Sequence, residues 1–211
     1  MAKVAAPRWR RRKDERPGEI LAAALAVFAE CGYAAARLDD IAAQAGVSKA
    51  ALYLYFPTKA DLFRAVAGEA VAPNLAMVQA AESYEGRFED IARVLIPTLA
   101  RAAANPAIGA LIKMVIGESR NFPELARAWH DALVSQALGA MSGLIAKAQA
   151  RGEVKGGDAR IHALSLISPI LMGVIWRETF TPVGAPPFDL ESVAAQHLDT
   201  ALGGMLCERG A

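Results

Sequence analysis

Helix-forming residues, interrupted at short intervals by helix start and stop signals, run through nearly the whole of this 211-residue chain. Ala, Leu, Glu, Arg and Met dominate, and no stretch of strand length alternates β-branched with polar residues. Glycine or proline falls where one helical pattern ends and another begins, as at Gly32, Gly46, Pro57 and Pro123. The pattern therefore predicts an all-α protein.

Helix start signals place these segments in order. Ser48, Thr58, Asn105 and Asp189 each carry a side-chain oxygen that can accept a hydrogen bond from a free N–H of a helical first turn. Thr58, followed three residues later by Asp61, resembles a capping box. The helices are expected at 17–31, 38–45, 48–56, from 58 onward, 85–104, from 106 onward, 123–151, 158–180 and 189–207.

Composition excludes several classes of protein. The chain is 54% hydrophobic, with 23 basic and 22 acidic side chains, which excludes a disordered or collagen-like polymer. Its two cysteines, Cys31 and Cys207, have neither CxxC nor Cys/His ligand spacing. Neither a zinc site nor a disulfide framework is therefore expected, and the cysteine usage fits a reducing cytosol. No cofactor is predicted.

The apolar segments argue against a membrane span or a signal peptide. The longest uncharged apolar run, 161–176, contains His162 and Pro169 and falls short of the roughly 20 residues that a membrane helix needs. We expect a buried helix there. The basic run at 8–13 is followed by Asp14 and Glu15 rather than by an apolar core. The sequence therefore predicts a cytoplasmic protein without a membrane partner.

Charge is unevenly distributed along the chain. Residues 1–64 carry 11 Lys and Arg against 7 Asp and Glu, whereas residues 65–211 carry 12 against 15. A basic segment on a mildly acidic body is typical of a nucleic-acid-binding module joined to another domain. A solvated basic tail is the alternative explanation.

The segment 38–56, LDDIAAQAGVSKAALYLYF, has two short helical patterns separated by Gly-Val-Ser, which is the spacing of a helix-turn-helix motif. Gly46 is expected to form a turn that a side chain would crowd, and Val47 is expected to fill the space where the two short helices meet. The residues expected to face inward are Ile41, Ala42, Ala45, Leu52 and Phe56. Those left facing outward are Lys49, Ala50, Tyr53 and Leu54. From spacing alone, a helical hairpin within an ordinary bundle fits equally well.

Several stretches agree in register with one family. They are Ile41-Ala42, Ala45-Gly46-Val47-Ser48, Leu52-Tyr53-x-Tyr55-Phe56-Pro57-x-Lys59 and Asp61-Leu62-Phe63. Together they resemble the signature of tetracycline-repressor-type (TetR family) transcriptional regulators. The resemblance implies a three-helix DNA-binding domain, a larger helical domain that binds a small effector, and a two-fold dimer on a palindromic DNA operator. The chain is accordingly divided into a basic arm at 1–16, a helix-turn-helix domain at 17–64 and an effector-binding and dimerisation domain at 65–211.

The resemblance also implies which residues contact double-stranded DNA. Tyr53 and Lys59 are expected to bind phosphates, and Thr58 adds a contact at the same helix start. Arg37 stands where the family usually has Ser or Thr; it cannot cap a helix but can reach a phosphate. The other expected contacts are Ser48, Lys49, Ala50, Ala51 and Leu54.

Base readout is expected to use few polar groups. Only Lys49 among the base-edge candidates can hydrogen-bond, because Ala50 and Ala51 stand where the family often has Gly-Thr. An alanine methyl can still pack on a thymine methyl, and DNA shape is expected to contribute. The basic cluster at 8–13 either lies on the DNA backbone or in a minor groove, or is a mobile solubilising tail.

The large domain is expected to hold a small, mainly hydrophobic effector in a cavity lined by the helices of 85–151 and closed by the helix of 158–180. The segment 118–125, ESRNFPEL, resembles one that recurs in the effector domains of the family. The candidate methionines and tryptophans suit an apolar lining or an ordinary core, and the polar candidates suit a ligand group or the surface. The candidates are Met114, Arg120, Trp129, His130, Leu133, Met172, Trp176 and Arg177.

The last two helices are the expected homodimer interface, because obligate dimers bury apolar helical faces. In the helix of 158–180 the expected stripe is Ile161, Leu164, Ser165, Ser168, Met172 and Ile175. In the helix of 189–207 it is Val193, Leu198, Ala201, Leu202 and Met205.

Two other classes of function compete with a regulator. An all-α enzyme would need a nucleophile with a base, or a metal-binding set. None of His130, His162 and His197 is followed four positions later by a ligand-type residue, and no glycine-rich phosphate loop occurs. No catalytic or metal-binding residue is therefore predicted. A structural DNA-binding protein is the other alternative, and it would lack both a specific operator and a ligand-filled cavity.

Overall fold

The computed structural model describes residues 16–207, and this part of the chain is all-α, as predicted. A π-helical turn at His130–Val134 joins two of the helices, and a 3-10 turn lies at Thr181–Val183. The helices of the described range are α1 Arg16–Ala35, α2 Leu38–Gln44, α3 Lys49–Tyr55, α4 Lys59–Glu82, α5 Phe88–Ala103, α6 Pro106–Glu118, α7 Pro123–Trp129, α8 Ser135–Ala150, α9 Ala159–Thr179 and α10 Leu190–Met205.

The four expected helix caps are present. The Ser48 side chain accepts a hydrogen bond from the Ala51 N–H at 3.1 Å, and Asp189 accepts one from the Ser192 N–H at 3.0 Å. The Thr58 hydroxyl accepts from the Asp61 N–H at 3.0 Å, and Asn105 accepts from the Ala107 N–H at 3.0 Å. Local capping chemistry therefore sets the start of four helices.

Two helices of the body depart from their expected bounds. The helix expected at 85–104 begins at Phe88, whose N–H donates to a Glu153 carboxylate oxygen at 2.6 Å. That cap comes from 65 residues further along the chain, so no local pattern reveals it. The helix expected at 123–151 is interrupted by the π-helical turn, although its backbone stays helical on both sides.

The described residues form two apolar cores, and α4 runs through both of them. Leu62 and Phe63 of α4 lie in the first core, with Phe28 of α1 and Leu52 of α3. Val78 of α4 lies in the second core, which α5, α8, α9 and α10 complete. The first core also includes residues of α6 and α7, so the helix-turn-helix module packs directly on the body. The expected domain boundary after residue 64 falls within α4, which passes through it without a break.

The apolar run 161–176 is buried on one side only. Ala163, Leu166 and Val174 of α9 are buried, whereas Ile161 and Leu164 are 65% and 58% exposed. The segments Pro17–Ala35 and Ala159–Val183 are long and apolar enough to cross a membrane by length and composition alone. The expectation that run length excludes a span at 161–176 was therefore too strong. Each segment nevertheless places one face in a protein core.

The expected dimer face of α10 is wrong in three of its five residues. Leu198, Leu202 and Met205 are buried in the second core of the monomer itself. An apolar stripe marks the buried face of a helix without saying whether the covering surface belongs to the same chain. Ala201 and Val193 are half-buried.

Two glycines in and beside the helix-turn-helix, Gly46 and Gly32, have backbone angles that other residues rarely adopt. Gly46, in the turn between α2 and α3, has φ +65°, and a Cβ there would have open space around it. The glycine is thus required by its backbone conformation and not by crowding, which corrects the reason expected from sequence. Gly32 interrupts α1 with φ 77° and ψ 174°, a conformation almost confined to glycine. A Cβ on Gly32 would lie 2.5 Å from a Glu118 oxygen.

These geometries predict unequal effects of the same substitution at the two glycines. Gly46→Ala should lower the free energy of unfolding by about 1–2 kcal/mol, the cost of a left-handed conformation. Gly32→Ala should lower it more, because the substitution adds displacement of Glu118 to a more strained backbone. Urea denaturation of the two variants measures both values, and equal losses would contradict this assignment.

Candidate DNA-binding surface and effector region

The α2–turn–α3 segment is held together by contacts that leave one face of α3 exposed. Leu52 of α3 and Ile41 of α2 are fully buried. In the turn, the Gly46 N–H donates to the Ala43 carbonyl at 3.1 Å and the Val47 N–H donates to the Ala42 carbonyl at 3.0 Å. The predicted helix-turn-helix is thus formed, and its second helix is anchored from within.

The outward face of α3 is mostly apolar. Leu54 is 85% exposed, Tyr53 is 41% exposed, and Ala50 is exposed beside them. Lys49 lies on the same face, but its ammonium pairs with Asp39 of α2 at 2.7 Å. The hydrogen bond and charge of Asp39 raise the pKa of Lys49, so this side chain stays protonated. Unless the Lys49–Asp39 ion pair opens, this face of α3 can offer a DNA base only the Tyr53 hydroxyl and apolar groups.

The start of α4 uses most of its polar groups internally. The Thr58 hydroxyl donates to an Asp61 carboxylate oxygen at 2.7 Å while accepting the Asp61 N–H. This hydrogen bond, together with Arg64, lowers the pKa of Asp61. The Thr58 hydroxyl is therefore engaged with Asp61, so the predicted DNA contact would have to use the Thr58 backbone N–H. Arg37 precedes α2, is exposed and makes no side-chain cap, as expected.

The Lys59 ammonium has a set of partners that the sequence did not predict. It donates to the carbonyl oxygens of Tyr33 at 2.6 Å and Ala36 at 2.9 Å, with Ala34 at 3.4 Å. It also lies 4.5 Å from the centre of the Tyr33 ring. Burial lowers the pKa of Lys59, against the opposing charge of Glu118. A phosphate contact would require the ammonium to give up at least one of these carbonyls.

The eight candidate effector residues do not converge on one cavity. Met114 and Trp129 are buried in the first core, against which Leu133 also packs. Arg120 and His130 are exposed. The last three candidates lie on α9: Met172, Trp176 and Arg177. The sequence pattern could not say which helices bring these side chains together, and the structure spreads them over the first core, the surface and α9.

Two of the α9 candidates have structural partners. Arg177 donates to the Ala104 carbonyl at 2.9 Å, next to the C-terminal end of α5, and pairs with Glu178 at 2.8 Å. The Trp176 ring N–H donates to the Pro186 carbonyl at 3.0 Å, and its ring packs against Phe188. Both side chains hold neighbouring segments in place, and their polar groups are already engaged within the chain.

Two grooves open to solvent lie in the body. One, of about 290 Å³, lies between the end of α4 and α5 and is lined by Met77, Tyr84 and Ile91 among others. The other, of about 240 Å³, lies between α6 and α9, with Ile112 and Ile116 on one wall. Its walls come from the elements expected to enclose an effector, but the eight candidate residues line neither groove.

Histidines and carboxylates are dispersed rather than clustered. His130 pairs with the adjacent Asp131 at 3.0 Å, and His197 lies 2.9 Å from the Ser165 carbonyl. His162, on α9, has a buried ring nitrogen without a hydrogen-bond partner. Within residues 16–207, no group of three His, Cys, Asp or Glu side chains is placed to hold a metal ion. The basic cluster at 8–13 lies outside the described residues.

Two residues important to the module were not predicted as functional. Asp39 binds Lys49, and Glu118 of α6 binds the end of α1. The position of Asp39 in the first turn of α2 gave a local signal for an acidic residue, but not for its partner. Glu118 lies 85 residues from Tyr33, so its contact could be found only from the fold.

Family models match both parts of the chain. The model for bacterial regulatory proteins of the tetR family matches residues 20–66, which contain most of α1 and the whole of α2 and α3. A second model, the tetracyclin repressor-like C-terminal domain, matches residues 85–185. The matches agree with the helix-turn-helix module and with the helical body.

Individual proteins show the same similarity. RutR of Escherichia coli, named an HTH-type transcriptional regulator, is 32% identical over 170 residues, or 76% of this chain and 70% of RutR. FasR of Mycolicibacterium smegmatis, named an HTH-type transcriptional activator, is 52% identical over 54 residues, or 26% of this chain and 25% of FasR. The crystal structure of the regulator FadR from Bacillus subtilis with stearoyl-CoA has a TM-score of 0.74 at 22% identity, covering 89% of this chain and 98% of that one. This chain is a DNA-binding transcriptional regulator that belongs to the tetR family of bacterial regulatory proteins.

Proposed function

We propose that this regulator is a cytoplasmic homodimeric repressor that releases a palindromic operator when a small, mainly hydrophobic effector binds to its helical body. The proposal depends on one observation, which is that the same chain has an exposed face on α3 and an exposed apolar face on α9. The first suits contact with DNA and the second suits contact with another copy of the chain. Activation is the competing mode, because FasR is named an activator.

The α3 face supports DNA recognition that depends little on hydrogen bonds to bases. Leu54 and Ala50 can pack on thymine methyl groups in the major groove. Tyr53, Arg37 and the Thr58 N–H are the proposed phosphate contacts, which would set register without carrying sequence information. DNA shape, and the basic cluster at 8–13 if it enters a minor groove, would supply further discrimination.

The exposed face of α9 supports the dimer. Ile161, Leu164, Leu171 and Met172 are all exposed apolar side chains on this helix, with Ser165 and Ser168 exposed between them. His197 of α10 lies 2.9 Å from the Ser165 carbonyl, so both helices contribute to one surface. An apolar surface of this kind is typical of an interface. The revised interface therefore keeps the α9 residues and omits the buried α10 residues.

The groove between α6 and α9 is the proposed entry point of the effector. Its lining is mainly apolar and includes Ile112, Ile116 and Ile175, with Lys113 and Glu178 at its edge. At about 240 Å³ it is smaller than the roughly 300–1,000 Å³ of common ligand pockets, so an effector would have to widen it. FadR, which shares the fold, was solved with stearoyl-CoA, and this supports a long apolar ligand as the first class to try.

Selection of bound duplexes from a random pool tests the function itself, and it should yield a palindrome with two half-sites. Replacing thymine by uracil at contacted positions should weaken binding several-fold, because each lost methyl removes apolar contact with α3. Leu54→Ala should abolish most of this sensitivity. Failure to select any sequence would refute operator recognition.

Release of the selected operator by acyl-CoA or other apolar metabolites, scored together with a thermal shift, tests the effector.

A salt titration separates two roles of Lys59. If it binds a phosphate, Lys59→Ala should reduce the slope of log K against log salt by about one unit on all sequences. If its contacts with the Tyr33 and Ala36 carbonyls are its main role, the slope should stay and the free energy of unfolding should fall. Tyr53→Phe is the companion variant, and it should lose affinity without losing stability. Unchanged affinity for Tyr53→Phe would remove its hydroxyl from the interface.

The revised interface predicts different results for two leucines. Leu164→Glu should give a monomer in light scattering at micromolar concentration, because the charge would be buried between subunits. Leu202→Ala should leave the dimer intact and lower the free energy of unfolding by about 2–5 kcal/mol, because it opens a cavity in the monomer core. A dimeric Leu164→Glu protein would place the interface elsewhere.

A further inference from the structure

The end of α1 presents two backbone N–H groups to a single carboxylate. Gly32 breaks the helix, and the N–H groups that follow it, on Tyr33 and Ala34, donate to the two Glu118 oxygens at 2.9 and 2.7 Å. Hydrogen bonds to a charged acceptor are stronger than neutral ones, and a fork of two also fixes direction. Glu118 is the last residue of α6, so this contact joins the body to the helix-turn-helix module.

The carbonyl groups of the same short segment face the other way, toward α4. The Lys59 ammonium donates hydrogen bonds to the Tyr33 and Ala36 carbonyl oxygens at 2.6 and 2.9 Å. Lys59 is the first residue of α4, four positions after the end of α3. We call the segment 32–36, together with Glu118 and Lys59, the α1 junction. It is a continuous chain of polar contacts from α6 to α4, the helix that follows α3.

The α1 junction is tightly packed as well as hydrogen-bonded. The Tyr33 ring lies 5.2 Å from that of Phe122, which follows α6, and 6.0 Å from that of Phe63 in α4. Burial raises the pKa of Tyr33 to about 12, helped by the charge of Glu124. A displacement of α6 would therefore either break the Glu118 fork or carry the segment 32–36 and Lys59 with it.

We propose that Glu118 is a positioning residue that couples the helical body to DNA binding by fixing the segment 32–36 against Lys59. The inference rests on the proposed function, since coupling requires a body that an effector can move. It adds the contact that transmits the movement. The groove proposed for the effector lies along α6, whose last residue is Glu118. Coupling of this kind commonly changes affinity 5- to 150-fold.

Three full-length proteins test the proposal: Glu118→Gln, Glu118→Ala and the matched control Glu69→Gln. Glu69 is an exposed carboxylate on α4 and is not part of the α1 junction. Hydrogen exchange at the Tyr33 and Ala34 amides should speed up at least about 10-fold in Glu118→Ala, less in Glu118→Gln, and not at all in Glu69→Gln. The Glu118 variants should bind the selected operator at least 5-fold differently from wild type, with an unchanged salt slope and an unchanged dimer.

The outcomes separate the two proposals. Faster exchange with unchanged operator affinity overturns the coupling role and leaves DNA binding standing. Unchanged exchange overturns the fork itself. A wild-type protein that selects no operator refutes the proposed function and the coupling with it. A changed salt slope in Glu118→Gln would mean altered phosphate contacts rather than altered positioning, and this also counts against the proposal.

Discussion

The whole arrangement depends on how the end of α1 satisfies its backbone groups. A helix that breaks at Gly32 leaves N–H and carbonyl groups that need partners. The chain supplies them from two distant places, Glu118 for the N–H groups and Lys59 for the carbonyls. The module that faces DNA is consequently held by the body on one side and by its own connecting helix on the other. Its orientation follows from these contacts rather than from the apolar core alone.

The remaining architecture is governed by apolar faces that need a covering surface. In α10 the face is covered within the monomer by α5 and α9, whereas the outer face of α9 is uncovered. Polar side chains then secure the edges, as when Arg177 reaches the Ala104 carbonyl beyond α5. The helix α9 thus packs one face into the monomer core and offers its other face to the proposed dimer.

Local features could be predicted from sequence, and long-range ones could not. Ser48, Thr58, Asn105 and Asp189 cap helices as expected, because a cap and its N–H lie within three residues of each other. The Glu153 bond to the Phe88 N–H is not visible in the local pattern, since its partners meet only after folding. Apolar periodicity likewise cannot distinguish a core face from an interface, which is why the dimer set on α10 was wrong in three of its five residues.

The candidate site shows the same division. The exposed face of α3 could be read from residue spacing, but the pairing of Lys49 with Asp39 and the contacts of Lys59 could not. Hydroxyl-radical footprinting of the full-length protein on its selected duplex tests most directly whether a homodimer binds DNA with one α3 face in each half-site. A homodimer should give two protected blocks about 34 Å apart, or a multiple of this, on one face of the DNA. A single protected block, or uniform protection, would contradict it.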